Sequence, residues 1–359
     1  MNAPQRLHEL GQSLWLDNIT RDLLTRGTLA RYIRELGVTG LTSNPSIYDK
    51  AIAGSSSYDD DITRCAARGL SPEDTFFELA LADLRRAAEH FGPVHELTGG
   101  VDGFVSLEVS PLLAYDPATT VREALRLHDL GGRPNLFIKI PGTAEGLPAV
   151  EEAIFAGVPV NVTLLFSPAH YLACMEAYTR GIERRVAAGR PAAVASVASV
   201  FVSRWDAAAN SDLPAELRNR LGLLIGRRSY TEYRRFFATD RWQRLLNSGA
   251  RPQRLLFAST GTKDPSLPED LYVAGLAAPH TVNTMPEETL LAYADHGRLD
   301  GPLAAGLDDD KELLAAIQAA GVDVDAVAAT LQAKGAAAFV ASWNAMLARI
   351  ATKAAPAVA

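Results

Sequence analysis

A lysine interrupts an otherwise apolar segment near the middle of the chain. Residues 135–143 read NLFIKIPGT, and Lys139 is the only ionisable side chain among them. Side chains alternate across a β-strand, so Lys139 shares a face with Phe137 while Ile138 and Ile140 occupy the other face. A buried ammonium group is costly unless it is paired or deprotonated, and a desolvated amine is a nucleophile toward carbonyl carbon. The segment therefore favours covalent catalysis, and the alternative is a solvent-exposed lysine at a strand end.

Polar or ionisable residues also stand near the ends of the other strand-like segments. They are Asp17, Asn44, Glu108, Asn161 with Thr163, Ser199 with Arg204, and Ser259, and the last segment offers Asn283 or Thr284. Each has a structural explanation when taken alone, such as helix capping or a turn before a proline. Together they predict a lysine surrounded by carboxylates, amides and hydroxyls. Such a buried polar cluster is difficult to explain by structure alone.

Eight segments are typical of β-strands, and helix-like segments separate them. The predicted strands are 13–19, 38–44, 104–110, 135–143, 158–166, 194–204, 254–260 and 281–286. This alternation favours parallel strands joined by helical crossovers. A closed α/β barrel of the (β/α)8 TIM type is the simplest arrangement, and it would bring the carboxyl ends of the strands to one mouth. A doubly wound open sheet is the alternative, but no GxGxxG follows an early strand.

The predicted barrel forms a single domain over residues 1–359, with additional C-terminal helices that pack on it. Residues 205–252 are predicted to be a helical insertion between the sixth and seventh strands. The arginine-rich part of that insertion, 218–235, is interpreted as a solvated helix face. A stripe at helical spacing, interpreted as packing, comprises Phe339, Trp343, Met346 and Ile350.

Composition restricts the kinds of partner. The net charge is −7 with no long basic cluster, so nucleic-acid binding is not expected. No segment reaches the roughly 18 apolar residues of a membrane helix, and the first residues lack the apolar core of a signal peptide. The two cysteines, Cys65 and Cys174, are far apart, so neither a disulfide framework nor a cysteine zinc site is expected. We therefore expect a soluble, cytoplasmic protein with no membrane partner.

Neither a metal nor a cofactor is predicted. The seven histidines are scattered without an HExxH pattern. The consecutive residues Asp59, Asp60 and Asp61 would fan out rather than converge on a cation, and we interpret 54–61 as a polar loop. A covalent lysine needs no metal, because the iminium ion that it forms is itself an electron sink.

Six motifs together carry a family resemblance. They are LTSNPS at 41–46, SLEVS at 106–110, IKIPGT at 138–143, NVTLLFS at 161–167, VASVFVSR at 197–204 and FASTGTKDP at 257–265. In this order and spacing, the set resembles the transaldolase family, and most of all its longer bacterial members. The resemblance extends from about residue 15 to residue 286, and more loosely into the C-terminal helices. It implies a barrel like those of the class I aldolases.

The resemblance also implies roles for the catalytic residues. Lys139 would form a Schiff base with a ketose phosphate. Glu108, through a water also held by Thr163, would shuttle protons during dehydration of the carbinolamine. Asp17 would take the proton of the C4 hydroxyl as the C3–C4 bond breaks. The implied reaction moves a dihydroxyacetone unit from sedoheptulose 7-phosphate to glyceraldehyde 3-phosphate, giving erythrose 4-phosphate and fructose 6-phosphate.

Substrate-binding roles follow from the same resemblance. The hydroxyls of the retained three-carbon unit would be bound by Asn44, Asn161 and Ser199. Phe201 would shield that unit from water. Related aldolases that release dihydroxyacetone usually carry a tyrosine near this place, so Phe201 favours transfer.

The phosphate end departs from the family pattern. Arg204 and Ser259 match phosphate-binding positions of the shorter family members. Where those members usually have a second arginine, two residues after the serine, this chain has Gly261. Lys263 lies two residues further on and would supply the positive charge as a point cation.

Two other functions remain open at this point. One is a class I aldolase of the fructose-6-phosphate type that releases dihydroxyacetone. The other is a non-catalytic barrel that binds sugar phosphates. A monomer and a homodimer are both compatible with the sequence.

Overall fold

Eight parallel strands close into a barrel in the computed structural model, which describes residues 1–303 and 308–355. The strands are β1 Ser13–Asp17, β2 Val38–Thr42, β3 Val105–Glu108, β4 Leu136–Pro141, β5 Val160–Leu165, β6 Ser196–Phe201, β7 Arg254–Ala258 and β8 Val282–Met285. Each strand pairs with the next in parallel, and β1 pairs with β8. The predicted (β/α)8 class is confirmed.

Helices surround the barrel and connect its strands. They are α1 Ala3–Glu9, α2 Arg21–Thr25, α3 Thr28–Leu36, α4 Pro45–Gly54, α5 Asp59–Ala67, α6 Pro72–Leu97, α7 Pro117–Gly131, α8 Leu147–Ala156, α9 Pro168–Ala187, α10 Ser203–Ala209, α11 Leu221–Phe237, α12 Asp240–Asn247, α13 Leu271–Gly275, α14 Glu287–His296, α15 Asp308–Ala319 and α16 Val324–Ala354. Short 3₁₀ turns lie at Pro111–Leu113, Asn210–Asp212 and Ala215–Leu217.

Several predicted boundaries differ from the structure. The sixth strand ends at Phe201, so Arg204 lies in the first turn of α10 rather than on a strand. The loop predicted over 54–61 is wrong at both ends, because Gly54 is the last residue of α4 and Asp59 to Asp61 form the acidic first turn of α5. The negative charges of these side chains lie close to the positive end of the helix dipole, and this attraction stabilises the first turn.

Aromatic side chains fill the amino-terminal half of the barrel. Phe137 on β4 stacks on Phe104 with ring centroids 4.1 Å apart, and it contacts Trp15 of β1 at 6.0 Å. The Trp15 indole occupies space that a side chain on β2 would otherwise fill. A Cβ at Gly40 would lie 2.6 Å from Trp15 Nε1 and 2.7 Å from the Phe104 carbonyl oxygen. A glycine on β2 is therefore needed for this layer to pack.

Replacement of Gly40 by alanine is expected to destabilise the barrel by about 1–3 kcal/mol, the usual cost of overpacking a core. Thermal or urea unfolding of Gly40→Ala measures this loss. Gly54→Ala is the matched control, because a Cβ at that position meets nothing within 4 Å. Equal stability of the two variants would contradict the packing role of Gly40.

The long C-terminal helix α16 packs against the barrel near the carboxyl ends of β4 and β5. By length and composition alone it could cross a membrane, with a mean hydropathy of 1.2 in its most apolar window. In the fold it contacts α4, α5, α6 and β5. The Gln332 side chain donates hydrogen bonds of 3.0 Å to the carbonyls of Gly142 and Leu164, just beyond β4 and within β5. This helix is therefore part of the barrel's architecture.

Candidate active site

The Lys139 amine is buried at the carboxyl end of β4. The side chain is about 6 % exposed, and its Nζ donates a 3.1 Å hydrogen bond to the backbone carbonyl of Ser43. Nζ also lies 3.3 Å from Glu108 Oε2 and 5.6 Å from the centroid of the Phe339 ring. The alternative of a solvent-exposed lysine is excluded by this burial.

Glu108 lies directly beside Lys139, because β3 and β4 pair these two residues in register. Burial raises the pKa of the Glu108 carboxyl, and the nearby Lys139 charge opposes that shift only in part. Neither carboxylate oxygen accepts a well-aligned hydrogen bond from another described group, and the same is true of the buried Thr163 hydroxyl. Both side chains thus have polar atoms available to a reacting group or a bound water.

Asp17 is the last residue of β1, borders the same cavity as Lys139 and is held by a threonine. Thr42 Oγ1 donates a 2.8 Å hydrogen bond to Asp17 Oδ1, and Thr42 is 2.7 Å from Thr284 Oγ1 of β8. Burial raises the pKa of the Asp17 carboxyl, against the lowering effect of the Lys139 charge and of the Thr42 hydrogen bond. Of the two residues offered by the last strand, Thr284 lines this site. Asn283 instead accepts a hydrogen bond from Thr260.

Asn161 and Ser199 form a buried hydrogen-bonded chain across the barrel. Ser199 Oγ donates to Asn161 Oδ1 at 2.7 Å, and Asn161 Nδ2 donates to Ser106 Oγ at 3.1 Å. Asn161 is fully buried below the cavity, whereas Ser199 lines the cavity wall. In this arrangement the amide of Asn161 orients the Ser199 hydroxyl.

Asn44 serves as the N-cap of α4 and also faces the cavity. Its Oδ1 accepts hydrogen bonds from the backbone N–H groups of Ser46 and Ile47. The cap occupies the side-chain oxygen and leaves the Nδ2 donor for a ligand acceptor. The helix-capping explanation for this residue and a binding role are therefore compatible.

Cationic side chains gather at the outer part of the cavity. The Arg204 guanidinium packs over the Phe201 ring, 5.1 Å from its centroid. Ser259 Oγ lies 2.9 Å from Ser203 Oγ, and Ser259 has a φ of 55°, a backbone conformation uncommon for a residue other than glycine. Lys263 is exposed at the rim. Arg204, Ser259 and Lys263 together offer hydrogen-bond donors and positive charge to a phosphate group.

These groups line a cavity of about 300 Å³ at the carboxyl ends of the strands. Nine of the eleven predicted site residues border it: Asp17, Asn44, Lys139, Thr163, Ser199, Phe201, Arg204, Ser259 and Lys263. The other two, Glu108 and Asn161, lie beneath it and contact its lining. Among residues 1–303 and 308–355, no cluster of three metal-ligating side chains occurs.

Sequence reasoning missed three contributors. Phe339 was interpreted as core packing, yet its ring lines the cavity and faces the Lys139 amine. Lys50 of α4 adds a further cation to the wall. The Ser43 carbonyl binds the amine and has no side-chain signature at all. Only Phe339 had a sequence signal, an aromatic residue in an alanine-rich helix.

The fold and the site together define a barrel protein with a cavity at the carboxyl ends of its strands, where a buried lysine lies near two carboxylates. The chain matches the Transaldolase/Fructose-6-phosphate aldolase family over residues 14–350. It is 44 % identical over 359 residues to the transaldolase of Frankia alni, with 98 % of this chain and 97 % of the relative covered. It is 45 % identical over 361 residues to that of Thermobifida fusca, covering 98 % of each.

A third relative gives a similar result. The transaldolase of Neisseria gonorrhoeae is 43 % identical over 340 residues, covering 94 % of this chain and 97 % of the relative. The chain therefore belongs to the Transaldolase/Fructose-6-phosphate aldolase family.

Proposed function

We propose that the protein is a transaldolase of the non-oxidative pentose phosphate pathway. It would move a dihydroxyacetone unit from sedoheptulose 7-phosphate to glyceraldehyde 3-phosphate, giving erythrose 4-phosphate and fructose 6-phosphate. The observation that carries the proposal is the buried Lys139 amine, 3.3 Å from Glu108 and on the wall of a cavity shared with Asp17. Two free, buried cysteines agree with a reducing, cytoplasmic location.

The first half of the reaction forms the covalent adduct. The neutral Lys139 amine attacks C2 of the ketose, and a C–N bond forms as the carbonyl π electrons move to oxygen. The proton that the attacking nitrogen releases passes to this oxygen through Glu108 and a water also bound by Thr163, which gives the C2 hydroxyl. Glu108 then donates, through the same water, the proton with which that hydroxyl leaves as water. The product is a protonated Schiff base in a site that holds little bulk solvent.

The second half breaks and remakes a carbon–carbon bond. Asp17 accepts the C4 hydroxyl proton, the C3–C4 bond breaks, and its electrons flow to the iminium nitrogen as an enamine. The aldehyde product leaves, the acceptor aldehyde is attacked by the enamine carbon, and Asp17 returns the proton. The Asn44 amide donates a hydrogen bond to the three-carbon unit. Ser199 Oγ, whose own proton is donated to Asn161 Oδ1, accepts one from a hydroxyl of that unit, and these bonds hold it between the steps.

Trapping the adduct tests the proposal. Incubation with fructose 6-phosphate and sodium borohydride is expected to leave a reduced three-carbon adduct on Lys139, located by peptide mass spectrometry. A non-catalytic sugar-phosphate barrel predicts no adduct. The aldolase alternative predicts free dihydroxyacetone from fructose 6-phosphate without an acceptor, whereas a transaldolase requires a second aldehyde, erythrose 4-phosphate, for net turnover of fructose 6-phosphate.

The phosphate end gives a separate prediction. Lys263→Ala is expected to raise the KM for fructose 6-phosphate by about 10–100-fold, because a charge-assisted contact contributes roughly 1.5–3 kcal/mol. Turnover of unphosphorylated fructose should change little. Lys334→Ala, another exposed lysine, serves as the control. Equal changes for both sugars would remove Lys263 from the phosphate site.

Phe339 is expected to determine how well the enamine is retained. Phe339→Ala removes the ring beside the amine and admits water, so release of free dihydroxyacetone per transfer event should rise several-fold. Leu347→Ala on the same helix loses packing without opening the cavity and is the matched control. If both variants show the same product ratio, Phe339 acts only in packing.

A further inference from the structure

A second cavity opens at the other end of the barrel from Lys139. It has a volume of about 360 Å³ and reaches Ser13, Ser196 and Arg254, the first residues of β1, β6 and β7. The side chains of Phe137 and Val197 form its apolar inner wall. Its size is within the usual range for small-molecule pockets.

Two guanidinium groups border this cavity without a carboxylate partner among the described residues. Arg251 donates to the carbonyls of Gly99 and Gly100 at 2.7 and 2.6 Å. Arg254 donates to the Thr281 carbonyl at 2.8 Å and to Ser13 Oγ at 2.7 Å. These bonds orient both groups, and neither guanidinium forms a direct ion pair with a described carboxylate.

One carboxylate, that of Asp102, borders the cavity, and its oxygens already accept hydrogen bonds from the protein. Asp102 accepts hydrogen bonds from Trp15 Nε1 at 2.8 Å, from the Gly103 N–H at 2.9 Å and from Ser13 Oγ. Ser13 thus links Asp102 to Arg254, and this linked pair carries no net charge. Arg251 has no comparable link to a carboxylate among the described residues, so its charge remains available to an anionic ligand.

We propose that this amino-terminal cavity binds a small organic monoanion with an apolar, ring-like body, such as an aromatic carboxylate. The body would pack on Phe137 and Val197, and the anionic group would accept hydrogen bonds from Arg251. This site is separate from the proposed catalytic cavity, and its existence does not depend on the proposed reaction.

A pair of dyes tests the proposal with the full-length protein. 8-Anilinonaphthalene-1-sulfonate carries a sulfonate, and N-phenyl-1-naphthylamine has the same rings without the charge. The anionic dye is expected to bind about tenfold more tightly, by fluorescence titration, because of its charge-assisted contact. Saturating fructose 6-phosphate should not displace it, since the two cavities lie at opposite ends of the barrel.

Variants assign the binding to this cavity. Arg251→Gln is expected to remove the preference for the anionic dye, whereas Arg251→Lys and the surface control Arg244→Gln retain it. Val197→Phe places a ring in the cavity and should weaken the binding of both dyes several-fold. Val197→Ile adds less volume and should weaken their binding less. Thermal unfolding checks that each variant is folded. The proposal would be overturned by equal affinity of the protein for the two dyes or by displacement of the anionic dye by fructose 6-phosphate. It would also be overturned if Arg251→Gln and Val197→Phe left dye binding unchanged.

Discussion

Lys139→Ala is expected to lower turnover by roughly 10⁴-fold or more, because no other described amine lies in the cavity at the position of the attacking nitrogen. The variant should still fold. Its neighbour Glu108 has a raised pKa and can take up a proton once the lysine charge is removed. A coupled assay of erythrose 4-phosphate formation measures the loss.

Two controls separate chemistry from structure in this experiment. Lys139→Met restores most of the buried volume without an amine and should be equally inactive. Lys334→Ala removes an exposed lysine of α16 and should be fully active. Appreciable turnover by Lys139→Ala or Lys139→Met would reject the covalent mechanism.

Asp17→Asn is expected to lower turnover by about 10²–10⁴-fold, the usual contribution of a general base. Formation of the Schiff base should survive, because Asp17 acts only when the C3–C4 bond breaks. Borohydride should therefore still trap a sugar on Lys139, now mostly as the uncleaved ketose. Asp22→Asn, an exposed carboxylate nearby, is the control. Loss of trapping together with turnover would show that Asp17 acts earlier.

The same residue predicts the acidic limb of the pH profile. Asp17 must be ionised to accept a proton, and its pKa is raised by burial above the ordinary value of 3.8. As the pH falls through this raised pKa, the base form is lost and turnover of the wild type should decline. Asp17→Asn should lack that limb. An identical acidic limb in both proteins would assign the titration to another group, such as Glu108.

Strand positions could be predicted from the sequence because the pattern that reveals them is local. An apolar run with a polar residue at its end identifies each strand, and parallel closure then brings Lys139, Glu108 and Asp17 to one mouth. The pairing of Glu108 with Lys139 needs only neighbouring strands in register. Most of the candidate site therefore follows from the order of the strands.

Contacts between distant segments could not be predicted in this way. The position of Phe339 depends on the angle at which α16 crosses the barrel, which no local pattern encodes. The hydrogen bond from Lys139 to the Ser43 carbonyl involves backbone and leaves no trace in residue type. The hydrogen bonds that join Asn161 to Ser106 and Ser199 likewise depend on how three strands are staggered relative to one another.

The placement of Phe339 on α16 has a consequence for biosynthesis. All eight strands leave the ribosome before this helix does, but a single domain generally folds as one unit. The site around the amine is therefore expected to be complete only after α16, whose Gln332 binds the carbonyls of Gly142 and Leu164, has been synthesised. Reactive amine and covering ring would then form together, so cellular metabolites with carbonyl groups would not meet an assembled but uncovered site during translation.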